Sequence, residues 1–534
     1  MKHIFCKMLA VLMLTALATG CSAPAEKHFD VKNYEYAMGE KYFAQWNAEE
    51  NARIDRDIEK YRKADGVFAL DVPAGTEVQV EQTRHAFYFG AHIFDFNQLP
   101  SDEANAKHQA MWKELFNSAT IPFYWKRYEP TPGVYCDDET VDNNPQFWQN
   151  CKDPSKERFY RNPPIRPILD FCDANHIRKH GHPLVWGCNR IFPQWYLDAI
   201  PKEITDSEFF QKEFQYSNPK NKALGWFSYW CVTGKLTEKE FAEKYPDYCK
   251  FVNDAFIKRL VDICQKYGDR FDSWDVVNES VIDTVPREYL GSAPRMVPGG
   301  KITKSVYGAM PGDYVYRSFE TAATHLPDSA WLNINDVPYG VKNAPYVKQI
   351  RELLARGAKI DVIGCQMHIF LATDTEAIAK GEGKVKGEAG DQSPSMVRST
   401  MEPLMAIGKP IHLSEVTIMS PGSDARGEAI QAVIAYNLYR LWFSLPAMSG
   451  ITWWNTIDFR NPSECFPSGI LRPDMSKKPV YFALDDLINR QWKTKLTVKA
   501  DPDGKIAFRG FRGTYRLTWK DAAGKSQEKT VELK

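Results

Sequence analysis

Two glutamates, Glu279 and Glu415, come at or near the end of short apolar runs. Glu279 closes the stretch WDVVNE, and Glu415 follows the run that begins at Ile411. Val276, Val277 and Ile411 are β-branched residues of the kind that sheet interiors contain. Each carboxyl is therefore predicted at the C-terminal end of a buried strand. In barrels of alternating strands and helices, these ends face the active site.

Paired carboxyls are the groups that cleavage of a glycosidic bond requires. One acts as a protonated acid toward the leaving oxygen, and the other is ionised and attacks or stabilises the sugar centre. From WDVVNE alone, a structural Glu279 satisfied by a neighbouring arginine is the competing interpretation. The sequence does not give the distance between the carboxyls, so the residues alone leave a retaining and an inverting mechanism open.

Polar and aromatic side chains also come at the ends of other predicted strands. Each of them, taken alone, is more often a structural group than a ligand-binding one, but together they favour a cleft at one end of a barrel. The histidines come singly and not in a HExxH-type pattern, so no metal site is predicted. The residues are His182 and Trp186, Asn335 and Asp336, Gln366 and His368, and Trp453 and Trp454.

Strands and helices alternate through most of the chain, which predicts an α/β fold, a (β/α)8 TIM barrel over residues 85–490. Helices are predicted, for example, over 254–267, 313–323 and 428–445. Two long insertions, about 131–164 and 196–250, are expected to surround the active-site end. The eight predicted strands are 85–92, 118–124, 178–187, 272–279, 330–336, 360–369, 410–417 and 449–455.

Smaller elements precede and follow the barrel. Residues 22–84 are expected to hold a polar tether to about Tyr42, a charged helix over 48–64 and a β-hairpin over 67–82. Residues 491–534 alternate in short runs typical of a small β module. Both elements are interpreted as supports of the barrel. Tyr515 and Trp519 are the candidates for carbohydrate binding in the C-terminal module.

The first 21 residues resemble an export signal. Lys2 and Lys7 precede an apolar run that is too short to span a bilayer, and small residues precede Cys21 as in the lipobox of bacterial lipoproteins. We expect an exported chain anchored through a lipid on Cys21 to the outer membrane or cell surface. A plain secretory signal, giving a periplasmic or secreted protein, is the alternative.

Charge and cysteine usage limit the partners. Lys plus Arg and Asp plus Glu both total 68, so no net field attracts nucleic acid or an anionic membrane. No cofactor is expected, the partner is a polysaccharide or oligosaccharide, and the chain is expected to be a monomer. Disulfides are plausible where cysteines flank the insertions. These pairs are Cys136 with Cys151 and Cys231 with Cys249.

The motifs taken together resemble glycoside hydrolase family 10, the retaining endo-β-1,4-xylanases, over about residues 85 to 490. They are GHPLVW (181–186), WDVVNE (274–279), LNINDV (332–337), DVIGCQMH (361–368), IHLSEVTI (411–418), ITWWNTID (451–458) and KKPVYFAL (477–484). The resemblance implies a general acid/base at Glu279 and a nucleophile at Glu415. It also implies substrate contacts from Asn278, His182, Trp186, Gln366, His368, Trp454 and Trp125.

The sequence departs from the family pattern around one sugar-binding position. The family has a Glu-Asn pair and a Lys before the Trp that aligns with Trp125, and here Ile121 and Tyr124 stand at the Asn and Lys places. Gly187 replaces a His, Thr417 an Asp, and Asn455 a Gly. An endo-β-1,4-xylanase-like activity is the main hypothesis. A retaining hydrolase of another or heavily decorated β-glycan, or a non-catalytic glycan-binding surface lipoprotein, are the alternatives.

Overall fold

The structure is a computed structural model. It describes residues 29–137, 163–187, 191–211, 232, 236, 238–281, 310–383, 385, 390–460 and 467–534. The export signal and most of the two insertions lie outside the described residues. Both expected disulfides lie outside them as well, because each includes Cys151 or Cys231.

The strands of the described chain build one large sheet and two small ones. In chain order they are β1 (Lys63–Ala69), β2 (Glu77–His85), β3 (Tyr88–His92), β4 (Ser118–Pro122), β5 (Arg178–His182), β6 (Val185–Trp186), β7 (Ser273–Asn278), β8 (Trp331–Asp336), β9 (Val362–Ile369), β10 (Ile411–Ile418), β11 (Met448–Trp453), β12 (Lys495–Lys499), β13 (Lys505–Phe511), β14 (Gly513–Lys520) and β15 (Ser526–Leu533).

The large sheet is a closed barrel of parallel strands. Its order is β5-β4-β3-β11-β10-β9-β8-β7-β6, and β5 also pairs with β7, which closes the ring. The two-residue strand β6 continues β5 along β7, so β5 and β6 together occupy one of eight strand positions in the barrel. The predicted (β/α)8 barrel is confirmed, and each predicted strand coincides with one of these positions.

Helices surround the barrel. Those of the described chain are Glu40–Gln45, Ala48–Arg62, Asp102–Leu115, Trp125–Tyr128, Ile165–Ala174, Gln194–Leu197, Lys202–Thr205, Glu238–Lys244, Pro246–Tyr267, Tyr314–His325, Asn343–Ala355, Ala372–Ala379, Pro394–Met405, Ala425–Ser444 and Pro479–Asp486, with 3₁₀ turns at Val31–Ala37 and Gly340–Lys342 and a π turn at Leu487–Gln491. In the described ranges, no helix is long and apolar enough to cross a membrane.

The strands that carry the glutamates are buried on both faces. Every residue of β7, β9 and β10 is buried, as parallel strands between helices require. Helix Ala425–Ser444 covers β10 and β11 from outside. Its first turn is capped by the Asp424 carboxylate, which accepts a hydrogen bond from the Gly427 amide at 2.8 Å. The carboxyl ends of these strands therefore have fixed positions.

The chain packs on the barrel before helix Ala48–Arg62 begins. The expectation of a tether that reaches to about Tyr42 is therefore wrong for the residues from Val31 onward, which form Val31–Ala37 and Glu40–Gln45. Tyr42 is buried, and its hydroxyl accepts a hydrogen bond from the Asn437 side chain at 3.0 Å. The Gly39 amide donates to the Ala379 carbonyl at 2.8 Å. The aromatic residues of this polar segment bury enough apolar surface to order it.

The predicted hairpin over 67–82 is also wrong. β1 pairs with β13, whereas β2 lies between β12 and β14 in a four-stranded antiparallel sheet. The two small sheets enclose a separate apolar core that includes Val78, Ile506 and Tyr515. Local alternation predicted strands here, but their partners are strands distant in sequence, with which they share one apolar core.

Of the two carbohydrate-binding candidates in this module, Tyr515 is core. It is fully buried, and its hydroxyl donates to the Phe511 carbonyl at 2.5 Å. Trp519 packs at the margin of the same apolar cluster. Outward-facing positions of the four-stranded sheet include Lys495, Lys499 and Arg516, which are charged. The four-stranded sheet thus combines β2, which precedes the barrel strands, with β12, β14 and β15, which follow them.

Arg62, at the end of helix Ala48–Arg62, connects this helix to the barrel through hydrogen bonds. Its buried guanidinium donates to the Met448 carbonyl at 2.7 Å and also to the carbonyls of Phe443 and Leu445, where helix Ala425–Ser444 ends. Burial lowers the pKa of Arg62 to about 10. Three carbonyls that lack helical partners are satisfied by one side chain.

Replacing Arg62 by Met is expected to destabilise the protein by about 3 kcal/mol, because buried carbonyls lose their donors while the apolar stem is retained. Urea unfolding followed by circular dichroism measures this loss. Arg53→Met, an exposed position on the same helix, is the control and should change the free energy of unfolding by less than about 0.5 kcal/mol. Equal losses in the two variants would contradict the role of Arg62.

Candidate active site

Glu279 directly follows β7, and Glu415 lies in the C-terminal half of β10. Glu279 is the residue after β7 and has φ +54°, a left-handed conformation that is unfavourable for a residue with a side chain. Its amide donates to the Asn335 carbonyl at 2.8 Å, which holds this conformation. Glu279 is half-buried, whereas Glu415 is 4% exposed. The two carboxyls therefore differ in environment.

Glu279 is held by two donors. Trp186 Nε1 donates to Oε2 at 3.1 Å, and Gln366 Nε2 donates to Oε1 at 3.1 Å. These donors come from β6 and β9, on opposite sides of β7 in the barrel. The carboxyl is therefore fixed in orientation at the barrel mouth.

Glu415 is surrounded by nitrogen atoms. Asn335 Nδ2 donates to Oε1 at 2.7 Å, His182 Nε2 lies 3.9 Å from Oε1, and His368 Nε2 lies 3.3 Å from Oε2. Burial, together with the carboxyls of Glu279 and Asp275, raises the pKa of Glu415 to about 8, while His182 and Asn335 oppose the shift. Glu415 is thus a buried carboxyl whose proton affinity depends on its neighbours.

Three amide side chains connect the carboxyls. Gln366 Nε2 bridges Glu279 and the Asn278 Oδ1 atom at 3.1 Å each, and Asn335 Nδ2 bridges the same Asn278 oxygen and Glu415 at 2.9 and 2.7 Å. Asn278 Oδ1 accepts from both, so its own NH₂ group remains for a ligand. Among the described residues, this NH₂ group has no hydrogen-bond partner. The network sets the relative position of the two acids.

A second layer of polar groups lies beneath Glu415. Asp275 Oδ2 lies 2.7 Å from His182 Nδ1 and 3.0 Å from His180 Nε2. Burial would raise the pKa of Asp275, but the charges and hydrogen bonds of the two histidines outweigh it and hold this pKa well below its usual range. Asp275 therefore remains ionised and orients the His182 ring through its hydrogen bond to Nδ1.

The residues after Glu279 are fixed by the end of β8. Asp336 accepts from the Val281 amide at 2.7 Å and from the Val337 amide at 2.8 Å, and Gln349 Nε2 donates to the Ser280 hydroxyl at 3.0 Å. Burial raises the pKa of Asp336 to about 7. Both sides of Glu279 are thus bound to β8 or to the helix that follows it.

Aromatic rings form the wall beside the carboxyls on the side of β3, β4 and β11. Tyr124 lies 5.8 Å from both the His182 and Trp186 rings, and Trp454 lies 5.3 Å from His182, as centroid distances. All these rings are buried. Tyr124, Trp186 and Trp454 belong to one apolar cluster, which also contains Phe94 and Ile191. Tyr124, which stands at the family's Lys place, therefore contributes an apolar wall instead of a cation.

Trp125 is the one site residue from the sequence analysis that is not brought to the carboxyls. It is 3% exposed and lies in the main core, where its ring packs 4.6 Å from Tyr196 and its Nε1 donates to Glu129 at 2.9 Å. The buried Arg259 guanidinium lies 5.1 Å from the same ring and donates to the Leu184 carbonyl at 3.1 Å. Trp125 thus supports the loop that carries Trp186.

The other departures are absorbed by new hydrogen bonds. Thr417 Oγ1 lies 2.9 Å from His368 Nδ1. Asn455 lies between His92 and Ser468, with its Oδ1 atom 3.0 Å from His92 Nε2 and its Nδ2 atom donating to the Ser468 hydroxyl at 2.9 Å. Thr417 and Asn455, two of the positions that differ from the family pattern, are therefore buried and hydrogen-bonded.

The sequence predicted Asn335 only as one of several polar strand ends, with no individual role, yet it contacts both halves of the site. Its side chain reaches Glu415 and Asn278, its carbonyl accepts from Glu279, and its Oδ1 accepts from the Ser414 hydroxyl at 2.5 Å. The available signal was an Asn-Asp pair at the end of the fifth predicted strand. A polar pair that closes an otherwise apolar strand of a barrel faces the same mouth as the acids.

Asn335→Ala is expected to lower the turnover of any glycan substrate by about 10- to 100-fold, because Glu415 and Asn278 lose a shared donor. Steady-state kinetics together with thermal unfolding measure this effect. Asn333→Ala is the matched control, since Asn333 is buried two residues earlier on β8 and makes no hydrogen bond to the carboxyls. A similar loss of turnover in both variants would show that Asn335 acts only through stability.

Comparisons with known proteins agree with the motifs. Residues 223–485 match the family model described as glycosyl hydrolase family 10. Endo-1,4-beta-xylanase A of Halalkalibacterium halodurans is 24% identical over 45% of this chain and 61% of its own length. Anti-sigma-I factor RsgI6 of Acetivibrio thermocellus is 20% identical over 89% of this chain and 46% of its own. The chain thus spans about half the length of these curated relatives.

A second xylanase and a solved structure are also similar. Endo-1,4-beta-xylanase A of Caldicellulosiruptor saccharolyticus is 32% identical over 40% of this chain and 46% of its own length. Xylanase 10B of Thermotoga petrophila, solved in complex with xylobiose, is 19% identical, covers 76% of this chain with 95% of its own, and has a TM-score of 0.48.

Proposed function

The chain is a divergent member of glycosyl hydrolase family 10, and from this premise we propose that it is a retaining glycoside hydrolase of β-linked polysaccharides, endo-1,4-β-xylanase-like in action. Glu279 is the general acid/base, and Glu415 is the nucleophile. The observation that carries the proposal is the pair of carboxyls at the ends of β7 and β10, connected through Gln366, Asn278 and Asn335.

The electrostatics of the pair support the first step. Because Glu415 has a raised pKa next to a second carboxyl, the pair retains one proton near neutral pH. Cleavage needs that state, with one acid protonated and one ionised. Positive charge that develops at the anomeric carbon over Glu415 favours the ionised form of Glu415, so the one proton of the pair lies on Glu279 when the bond breaks. Glu279 then gives this proton to the leaving oxygen as the glycosidic bond breaks, and a Glu415 oxygen forms a bond to the anomeric carbon.

In the second step, Glu279 acts as a general base instead of a general acid. The leaving sugar departs, and the bond between Glu415 and the anomeric carbon holds the glycosyl unit. Glu279, now ionised, accepts a proton from water as the water oxygen attacks that carbon and the bond to Glu415 breaks. The net product keeps the β configuration. Trp186 and Gln366 keep Glu279 in place through both steps.

The surrounding residues supply the binding of one sugar. The NH₂ group of Asn278 is available to a sugar hydroxyl, and His182, Gln366 and His368 line the same space. Trp186 and Trp454 contribute apolar ring surface, which matches the apolar face of a sugar. The aromatic wall places Tyr124 where the family has a Lys, and this change supports a substrate other than plain xylan, either a decorated xylan or another β-linked glycan.

Product analysis tests this proposal. The enzyme is incubated with linear and decorated xylans, mixed-linkage glucans and galactans, products are separated by anion-exchange chromatography, and early anomers are followed by proton NMR. We expect β-configured oligosaccharides from at least one β-1,4-xylan. Glu415→Ala, processed in parallel, is the control for contaminating activity. Binding to these glycans without any product would support the non-catalytic alternative and overturn the proposal.

We further propose that the protein is exported and anchored by a lipid on Cys21. The support is the order of charged, apolar and small residues before Cys21 in the sequence. Metabolic labelling with a radioactive fatty acid in a bacterial host should label the wild-type chain and not Cys21→Ser. Release of an unlabelled wild-type protein into the periplasm or medium would favour the plain secretory signal.

A further inference from the structure

The two imidazoles that face Glu415 have different partners. His182 is backed by the ionised Asp275 carboxylate at 2.7 Å, whereas His368 is backed by the Thr417 hydroxyl at 2.9 Å. A carboxylate stabilises an imidazolium, but a hydroxyl carries no charge to do so. The rings on the two sides of Glu415 therefore differ in the partner of their far nitrogen, a carboxylate for His182 and a hydroxyl for His368.

The hydrogen of the Thr417 hydroxyl determines the tautomer of His368. Thr417 is fully buried, and in the described part of the chain its hydroxyl has no hydrogen-bond partner other than His368 Nδ1. If Nδ1 carried a proton, the hydroxyl would accept it and leave its own hydrogen buried without an acceptor, which costs about 1–3 kcal/mol. If the hydroxyl donates to Nδ1, both groups are satisfied.

The same choice places the ring proton toward the nucleophile. With Nδ1 accepting, the proton of the neutral ring is on Nε2, which lies 3.3 Å from Glu415 Oε2. Phe370 stacks on the ring with centroids 4.4 Å apart, and Trp454 lies against it, so the ring plane is fixed. Within the described ranges, the titratable groups that face Glu415 besides His368 are Glu279, His182 and Asp275.

We propose that Thr417 is a positioning residue that holds His368 as a neutral imidazole with its proton on Nε2, so that the enzyme needs a higher pH to ionise Glu415 than it would with a carboxylate at position 417. This inference rests on the proposed function for its kinetic consequence. The assignment of the tautomer stands on the geometry alone. The raised pKa of Glu415 is consistent with a neutral donor on that side.

The first test measures the ring directly and does not depend on activity. The full chain is labelled with ¹⁵N-histidine, and long-range ¹H–¹⁵N spectra are recorded at pH 7, with His368→Gln to assign the signals. Wild type and Thr417→Ser should show a neutral ring protonated at Nε2. Thr417→Val should lose this preference and show a mixture of tautomers. An imidazolium, or an Nδ1–H tautomer, in the wild type would overturn the proposal.

The second test measures the pH dependence of kcat/KM on a glycan that the enzyme cleaves. Thr417→Asp should give an imidazolium and move the acid limb down by about one pH unit, which corresponds to about 1.4 kcal/mol. Thr417→Val should lower kcat by about tenfold, with Thr417→Ser restoring most of it. An unchanged acid limb in a folded Thr417→Asp protein would overturn the proposal, and if that variant does not fold, the spectra of wild type and Thr417→Ser decide.

A matched control lies on the neighbouring strand. Thr452 Oγ1 is 2.8 Å from His412 Nε2, a buried threonine–histidine pair without contact to Glu415. Thr452→Val removes the same type of hydrogen bond and should lower the melting temperature comparably to Thr417→Val. It should leave the His368 signals and the acid limb unchanged. If Thr452→Val shifts the acid limb as far as the Thr417 variants do, the effect is one of general stability and the proposal fails.

Discussion

Glu415→Ala is expected to abolish hydrolysis of β-linked glycans, with kcat reduced by at least about 10⁴-fold. The variant lacks the atom that forms the bond to the anomeric carbon, and the network around it has no other carboxyl in that position. Glu279 is held on the opposite side of the site by Trp186 and Gln366 and cannot replace it. Initial rates with glycan and aryl glycoside substrates measure the loss. Turnover close to that of wild type would remove Glu415 from the nucleophile role.

A companion variant separates chemistry from stability. The pKa of Glu415 is raised from an ordinary 4.5 to about 8, so ionising Glu415 in the folded protein lowers the free energy of unfolding. This destabilisation is absent below pH 4.5 and increases as the pH rises toward 8. Glu415→Gln removes the charge and still accepts from Asn335. We expect it to melt several degrees above wild type at pH 8, with the difference vanishing near pH 4. A melting temperature below that of wild type at pH 8 would contradict this account of the buried charge.

Glu279→Ala is expected to slow natural glycans by about 10²- to 10⁴-fold and activated aryl glycosides far less in the bond-breaking step. A poor leaving group needs the proton of Glu279, whereas a dinitrophenolate leaves without one. The later hydrolysis of the glycosyl-enzyme still lacks its base, so the intermediate should accumulate and give a burst. Azide, a small nucleophile that needs no base, should accelerate turnover. Stopped-flow and steady-state rates for both substrate classes measure these effects.

The control for Glu279 is a second buried carboxyl on the same end of the barrel. Glu129 accepts from Trp125 and from the Gly133 amide at 2.9 Å each and makes no contact with the carboxyl pair. Glu129→Ala should affect glycans and aryl glycosides to the same extent, through stability alone. If Glu279→Ala shows equal losses on both substrates as well, without a burst or a response to azide, its role as acid is wrong.

The barrel and its two acids could be predicted from the sequence because both depend on local pattern. The apolar runs of β7 and β10 are strands in any context, and a Glu at the end of each strand must face the barrel mouth. The same holds for His182, Gln366 and His368. These positions follow from strand direction and side-chain alternation, which short stretches of sequence contain.

The contacts that depend on pairing between distant segments could not be predicted in this way. β1 and β2 alternate as hairpin strands do, but each found a partner near the other end of the chain. The importance of Asn335 could not be read from its strand end, because it comes from two other strands, β7 and β10, meeting at its amide. Trp125 aligned with a sugar-binding position, yet its neighbours Tyr196 and Arg259 enclose its ring.

The small β-sheet sets an order for folding. Gln82 of β2 exchanges two hydrogen bonds with Thr494, a residue 412 positions later, at 2.9 and 3.1 Å. Such a contact closes a very long loop, so it forms late. During synthesis, β1 and β2 are made early, and their edges remain unpaired until their partners β12, β13 and β14 are made. A nascent chain stalled before β12 therefore holds a complete barrel sequence with unpaired strands at its base, and chaperone binding should concentrate on β1 and β2.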